Sequence, residues 1–318
     1  MQLPPTDHRR IELIDIARGT ALVAMAIYHF TWDLDFFGYI EPGTSVTGGW
    51  KIFARSIASS FLFLVGVSLY LAHGQGIRLR SFARRLAMIA IAAAAITAVT
   101  YFTMPDAFIF FGILHNITVS SVLGLLLLRL PVVALVAVAA AVVAAPHFVH
   151  APFLDQPIFW WTGLSRNVPG TNDYIPIFPW FGAVLMGVAA AKAAARAGLF
   201  ARMAVFAPAK RVPLLGAAGR HSLAFYLLHQ PVLFSSVWLF AQIMPPPAPD
   251  QGQFFLEACD SQCTAEHEEN FCRAYCACVL EEATAENRLD ELYNPQRSEA
   301  TQSWLEDVAF RCSVENNG

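Results

Sequence analysis

Hydrophobic residues run in long blocks along most of this chain, and polar residues interrupt them at a few isolated places. Seven blocks, near 12–33, 51–72, 84–104, 108–129, 131–149, 176–195 and 221–244, each approach the ~20 residues that an α-helix needs to cross a bilayer. The block at 131–149 (PVVALVAVAAAVVAAPHFV) is apolar on every face and reads as lipid-facing or filler. The first, second, fourth and seventh blocks carry the polar groups. Beyond residue 245 the pattern changes: apolar residues become sparse and acidic residues frequent. The expected architecture is all-α, a polytopic membrane bundle of about seven transmembrane helices over 1–245, followed by a small disulfide-rich helical hairpin over 251–318.

Composition agrees with the pattern. Of 318 residues, 56% are hydrophobic and 14% charged, against ~25% charged in soluble domains. No basic tract is interleaved with aromatics, which sets nucleic acid aside as a partner. The cations divide unevenly between the connections. One set holds Arg9, Arg10, Arg78, Arg80, Arg84, Arg85, Arg129, Lys192, Arg196, Arg202, Lys210, Arg211 and Arg220; the other holds Arg166, with Lys51 and Arg55 opening the second block. The positive-inside rule then puts the N-terminus in the cytoplasm, and an odd number of spans sends the C-terminus outside an inner (plasma) membrane. Arg18 and His29 interrupt the first block and no small-residue cleavage site follows it, so it reads as a span rather than a signal peptide.

The tail follows the linker MPPPAPD, whose prolines at 245, 246, 247 and 249 end the last span and stiffen the chain. It contains all six cysteines, Cys259, Cys263, Cys272, Cys276, Cys278 and Cys312. An even number confined to an extracytoplasmic segment reads as a disulfide framework. Two helices each carrying Cys at i and i+4 form an antiparallel hairpin stapled twice, pairing Cys259 with Cys276 and Cys263 with Cys272 and leaving Cys278 for Cys312. Other connectivities stay open, as does a metal site using several cysteines and His267; the outside location and even count favour disulfides and no metal.

The candidate chemistry starts in the first block, IELIDIARGTALVAMAIYHFTWDL, which holds Asp15, Arg18, His29 and Asp33. Ionisable groups inside a membrane helix are costly and mark function or pairing. His29 and Asp33 stand four apart on one face, so the carboxylate is expected to orient the imidazole as a base. Arg18 lies eleven residues earlier, roughly 16 Å along the axis, and suits an anionic donor. It equally suits a snorkelling role beside Asp15. In the second block Arg55 is a candidate to neutralise an acceptor carboxylate or an oxyanion, or to pair with Asp33 or Asp35. Small residues Ser56, Ser59, Ser60, Gly66 and Ser68 suit close helix packing.

In the fourth block His115 and Asn116 lie near mid-membrane and are candidates to share the proton or orient a carbonyl, or else to glue helices together. In the seventh, His221 lies near the cytoplasmic edge, while His229 and Gln230 precede a helix-kinking Pro231 and are expected in or near a cavity. The loop 150–175 carries Trp160, Trp161, Arg166, Asn172, Asp173 and Tyr174, an interfacial belt or a sugar-stacking surface. There is no Walker loop, no Rossmann fingerprint, no nucleophile elbow, no lysine in the seventh block for a retinal Schiff base and no intramembrane cysteine.

The strings RIELIDIARGTALVAMAIYHFTWDL, FLFLVGVSLYLA, PWFGAVLMG and GRHSLAFYLLHQPVL, in this order over about residues 8–240, resemble the bacterial membrane proteins related to heparan-alpha-glucosaminide N-acetyltransferase. The opening, with His eleven residues after the Arg of R-G-x-A, is also similar to the first helix of membrane O-acyltransferases of the cell envelope. The resemblance implies His29 as catalytic base and Arg18 on the acyl-CoA side. Asp33 as its orienter comes from the helix spacing. The lysosomal enzyme has more spans and a large luminal domain, and the cysteine-rich tail matches neither family, so the acceptor does not carry over.

The expectation is an inner-membrane acyltransferase. It takes an acetyl or other short acyl group from cytoplasmic acetyl-CoA to an envelope glycan or lipid headgroup outside, by direct attack or through an acyl-His29. Catalytic candidates are His29, Asp33, Arg55, His115 and Asn116; candidates for holding CoA are Arg18, Arg84, Arg85, Arg220 and His229. Two other classes stay open: a proton-coupled transporter or flippase relaying protons through His29, His115 and His229, and an envelope assembly protein whose acidic tail docks a partner. Homodimer formation also stays open.

Overall fold

The structure is a computed structural model that describes residues 11–167, 170–205, 212–247, 251–264, 267–292 and 298–315. Arg9, Arg10, Lys210, Arg211 and Pro249 lie outside the described residues. The chain divides into two compact units, Met1–Ile243 and Met244–Gly318.

The first unit is built of nine α-helices, with four short 3-10 turns between them, among the described residues: α1 Glu12–Phe36, α2 Gly48–His73, α3 Leu79–Thr103, α4 Ile113–Leu127, α5 Val132–Phe148, α6 Ile177–Arg196, α7 Leu199–Val205, α8 Pro213–Arg220 and α9 Ser222–Ile243. Five of them, α1, α2, α3, α6 and α9, are long and apolar enough to cross a membrane, while α4 and α5 are shorter apolar helices of 15 and 17 residues. The shortfall in α4 has a local cause. The expected span began near 108, but residues 108–112 are not helical and lie against a neighbouring loop. Asn172 N donates to Ala107 O, Thr171 Oγ1 to Phe108 O and Ile175 N to Phe111 O, and a short parallel bridge joins Phe111 and Tyr174.

The helices interlock where glycine removes the side chain. A Cβ on Gly66 would run into the Val184 carbonyl and one on Gly187 into the Phe63 carbonyl, so α2 and α6 touch backbone to backbone. Gly19 against Leu215 and Gly219 against Asp15 do the same for α1 and α8. Such small-residue contacts let van der Waals packing hold helices together where lipid supplies no hydrophobic drive. Around the first contact lie the fully buried Leu62, Val184, Leu185 and Val188. Helix α1 ends on left-handed Gly38, with Gly38 N bonded to Asp35 O and Tyr39 N to Leu34 O. Lys192 of α6 donates to the carbonyls of Leu128, Arg129 and Leu130, placing a cation on the last turn of α4.

In the second unit, α10 Gln251–Cys263 and α11 Glu269–Ala285 form a hairpin, followed by α12 Leu289–Leu292 and α13 Glu299–Glu315. Disulfides join Cys259 to Cys276, Cys263 to Cys272 and Cys278 to Cys312, the pairs that the hairpin geometry gives. None of the six is a free thiol. Val279 of α11 and Val308 of α13 pack beside the third disulfide with Phe255, Tyr275 and Trp304. The Arg288 guanidinium lies 4.4 Å from the centre of the Trp304 ring.

Candidate active site

Asp33 on α1 is fully buried, and its Oδ1 accepts a 2.7 Å hydrogen bond from Gln230 Nε2 on α9. One residue earlier on α9, His229 meets His29 of α1, with the imidazole centres 4.9 Å apart and the rings edge to face. The i,i+4 spacing did put His29 and Asp33 on one side of α1, the side that α9 covers. The expected His29–Asp33 hydrogen bond, however, is not formed: Gln230 takes one carboxylate oxygen and the other has no partner among the described residues.

Backbone geometry fixes the tautomer of His229. Its Nδ1 lies 2.6 Å from the Tyr226 carbonyl, which can only accept, so Nδ1 carries the hydrogen and Nε2 is the bare nitrogen. Pro231 two residues on has no N–H to return to the carbonyl of Leu227 and loosens the helix at this point. Tyr28, Phe225 and Tyr226 wall the two imidazoles, with ring centres 5.6–6.2 Å away. The buried atoms Asp33 Oδ2, His229 Nε2 and Gln230 Oε1 have no partner among the described residues.

Arg18 sits toward the other end of α1. It bonds Asp15 Oδ1 at 3.2 Å and Ser68 Oγ of α2 at 2.5 Å, and its side chain is 22% exposed. Just past the end of α2 that carries Ser68, an open groove of about 490 Å³ is lined by Arg78, Leu79, Arg80, Ser81 and Arg84. Arg78 is spent on the Ala72 carbonyl. Arg84, Arg85 and Arg220 are exposed and form no ion pair with a described residue. A second recess of about 230 Å³, between Leu13, Ala17, Phe63 and Phe200, is wholly apolar and offers no chemistry.

His115, Asn116 and Arg55 form no hydrogen bond or ring contact with His29, Asp33 or His229 among the described residues. Both ring nitrogens of His115 are taken: Nδ1 accepts from Gly112 N at 3.2 Å, and Nε2 lies 3.1 Å from Thr97 Oγ1, whose own hydrogen goes to Ile109 O. Asn116, fully buried, donates to the carbonyls of Ile175 and Pro176 and accepts from Ser120. Asn116 thus pins the 175–176 segment to the first turn of α4, and His115 ties that turn to α3 through Thr97. Arg55 lies on another face of α2. Phe53 and Ile57 of α2 pack with Leu22, Met25 and Tyr28 of α1, and Arg55, two residues from each, points to the opposite side. It is exposed and pairs with neither Asp33 nor Asp35. Asp35 instead holds the following loop through Gly43 N, Ser45 N and Ser45 Oγ.

Two residues named in the sequence have partners that it did not reveal. Gln230 was visible only as a neighbour of His229, and its bond to Asp33 spans 197 positions. Asp173 of the 150–175 loop accepts from Ile113 N at the start of α4. Burial pushes its carboxyl up to about 6, opposed by that hydrogen bond.

A family model described as heparan-alpha-glucosaminide N-acetyltransferase, catalytic, matches residues 10–231. The chain belongs to this family. The match covers well over half of the chain, takes in the His29–His229 pair and ends at Pro231, leaving the tail outside it. No curated protein and no solved structure matches the chain. Membership of the heparan-alpha-glucosaminide N-acetyltransferase catalytic family makes acyl transfer in a membrane the class of activity, with acetyl-CoA the donor that the family uses in general.

Proposed function

We propose that this protein transfers an acetyl group from cytoplasmic acetyl-CoA to an acceptor hydroxyl or amine of the cell envelope, a glycan or lipid headgroup, with His29 as the base. The observation that carries the reading is the meeting of His29 and His229 from opposite ends of the family match, 4.9 Å apart, beside the buried Asp33. The acceptor attacks the thioester carbonyl as His29 takes its proton. The bare Nε2 of His229 gives that proton a second place to rest. When the carbon–sulfur bond breaks, the proton passes to the departing thiolate, so the pair returns neutral. Imidazole suits this task because it gains and loses a proton near neutral pH.

On the donor side, the groove at Arg80 and Arg84 supplies cations for the CoA phosphates. Arg18, already bound to Asp15 and Ser68, shapes the path toward His29. With the N-terminus cytoplasmic, this end of the bundle faces the cytoplasm and the tail lies outside as an accessory module.

The test uses inverted membrane vesicles containing the protein and acetyl-CoA labelled in the acetyl group, with wild type beside His29→Ala. Label entering a glycan or lipid fraction only with wild type supports acyl transfer and identifies the acceptor. No transfer by a folded protein, with native envelope acceptors present, overturns the reading in favour of transport or assembly. A chain ending at residue 245 is expected to keep the activity.

A further inference from the structure

The three atoms at the α1–α9 junction without a partner among the described residues are all hydrogen-bond acceptors: Asp33 Oδ2, His229 Nε2 and Gln230 Oε1. A buried acceptor without a donor costs about 1–3 kcal/mol, more when charged, and native proteins leave few such atoms unexplained. Here they occur together, on residues that already touch. The Gln230 amide nitrogen is used on Asp33 Oδ1 and the Nδ1–H of His229 on the Tyr226 carbonyl. That bond fixes what the two head groups present. With one oxygen of Asp33 and the nitrogen of Gln230 tied at 2.7 Å, the two remaining oxygens lie no more than about 7 Å apart, given the size of a carboxylate and an amide. Neither can turn away without breaking the bond.

We propose that Asp33 and Gln230 are specificity-determining residues that read a hydrogen-bond donor on the carbon next to the reacting group of the acceptor. The inference rests on the acyl-transfer reading above. In this arrangement the reacting hydroxyl or amine of the acceptor faces the imidazole pair. A neighbouring hydroxyl donates to Asp33 Oδ2 or Gln230 Oε1. Both positions accept hydrogen bonds and neither offers one, so an ether, an ester or a phosphate at the neighbouring carbon leaves the acceptors unpaired, and a phosphate also meets the charge of Asp33. The clamp thus favours a 1,2-diol or an amino alcohol over a headgroup whose reacting group adjoins a phosphate. The substrate-facing roles divide: the histidines touch the proton in flight, and the Asp33–Gln230 pair sets which molecule holds still beside them.

The experiment compares two soluble acceptors on the same full-length protein in membrane vesicles with labelled acetyl-CoA. One is a methyl glycoside with free neighbouring hydroxyls; the other is its counterpart methylated at the hydroxyl next to the acetylated position. A site that hydrogen-bonds a hydroxyl strongly rejects an analogue lacking it, so wild type is expected to prefer the free diol by at least ~100-fold in kcat/KM. Asp33→Asn and Gln230→Met are expected to reduce this preference to within about threefold, the change falling mainly on KM for the diol. Because each ratio is taken on one preparation, a fall in the folded fraction cancels. A preference that persists in both variants, or that wild type lacks while it acetylates native envelope acceptors, overturns the clamp. No acetylation of any acceptor by wild type overturns the acyl-transfer reading and the clamp with it.

Discussion

Two clusters of polar side chains, one on α4 and one where α1 meets α9, look equivalent along the chain and end differently. In each, a histidine lies beside a carboxylate or amide within an apolar helix. On α4, both nitrogens of His115 and the amide of Asn116 are bound, chiefly to backbone groups of the 107–112 turn and the 175–176 segment. At α1–α9, Gln230 engages one oxygen of Asp33 and the Tyr226 carbonyl one nitrogen of His229, and three acceptors are left over. A costly polar group in a membrane helix is therefore not by itself a catalytic one. The atom-by-atom account of its partners separates a residue whose polar atoms are all bound from one that keeps a free acceptor.

The largest effect that sharpens this contrast is on rate. His29→Ala and His229→Ala are each expected to lower acetyl transfer by about 100- to 10,000-fold while leaving thermal unfolding within a few degrees of wild type. Equal loss of folding in these variants would erase the distinction. Second is stability. Asn116→Leu strips the donors from two carbonyls and the partner from Ser120, and should cost about 2–4 kcal/mol. The transfer rate per folded molecule should be retained. His115→Ala should cost less, about 1–2 kcal/mol, since Gly112 and Thr97 each lose one bond; unfolding in detergent with parallel activity assays checks both.

The smallest effect concerns pH at the same anchor. Burial raises the Asp173 carboxyl to about 6, so the folded loop holds this proton more tightly than an unfolded chain does. The sign follows from linkage: the anchor strengthens as pH falls through about 6 toward the ordinary carboxyl value, and above 6 the buried charge weakens it. Exchange of the Ile113 amide hydrogen, corrected for its intrinsic pH dependence, should be slower at pH 5 than at pH 8. Asp173→Asn should flatten the difference.

The apolar blocks made the helical membrane bundle legible, and the order of the short motifs made the family so. His29 and Asp33 on a common face followed from a spacing of four. The partner of Asp33 did not, because local periodicity says which side a residue faces and not what covers that side. The partners of Asn116 were hidden for the same reason, lying in a loop some sixty residues away, whereas His115 bonds Gly112 and Thr97 nearer along the chain. The start of α4 was hidden too: residues 108–112 are as apolar as a helix, and hydrogen bonds from 171–175 hold them extended. Arg55 could have been placed by counting, since a position two residues from both Phe53 and Ile57 cannot share their face.

The stapling of the tail sets how it would respond to a protease. The first two disulfides close the α10–α11 hairpin on itself, and the third closes a separate loop from Cys278 to Cys312. A single cut almost anywhere between Cys259 and Cys312 therefore leaves both fragments covalently joined, and they part only on reduction. The exception is the pair of peptide bonds flanking Ala277, where the two closed systems meet: a cut there releases the C-terminal piece with no reductant present.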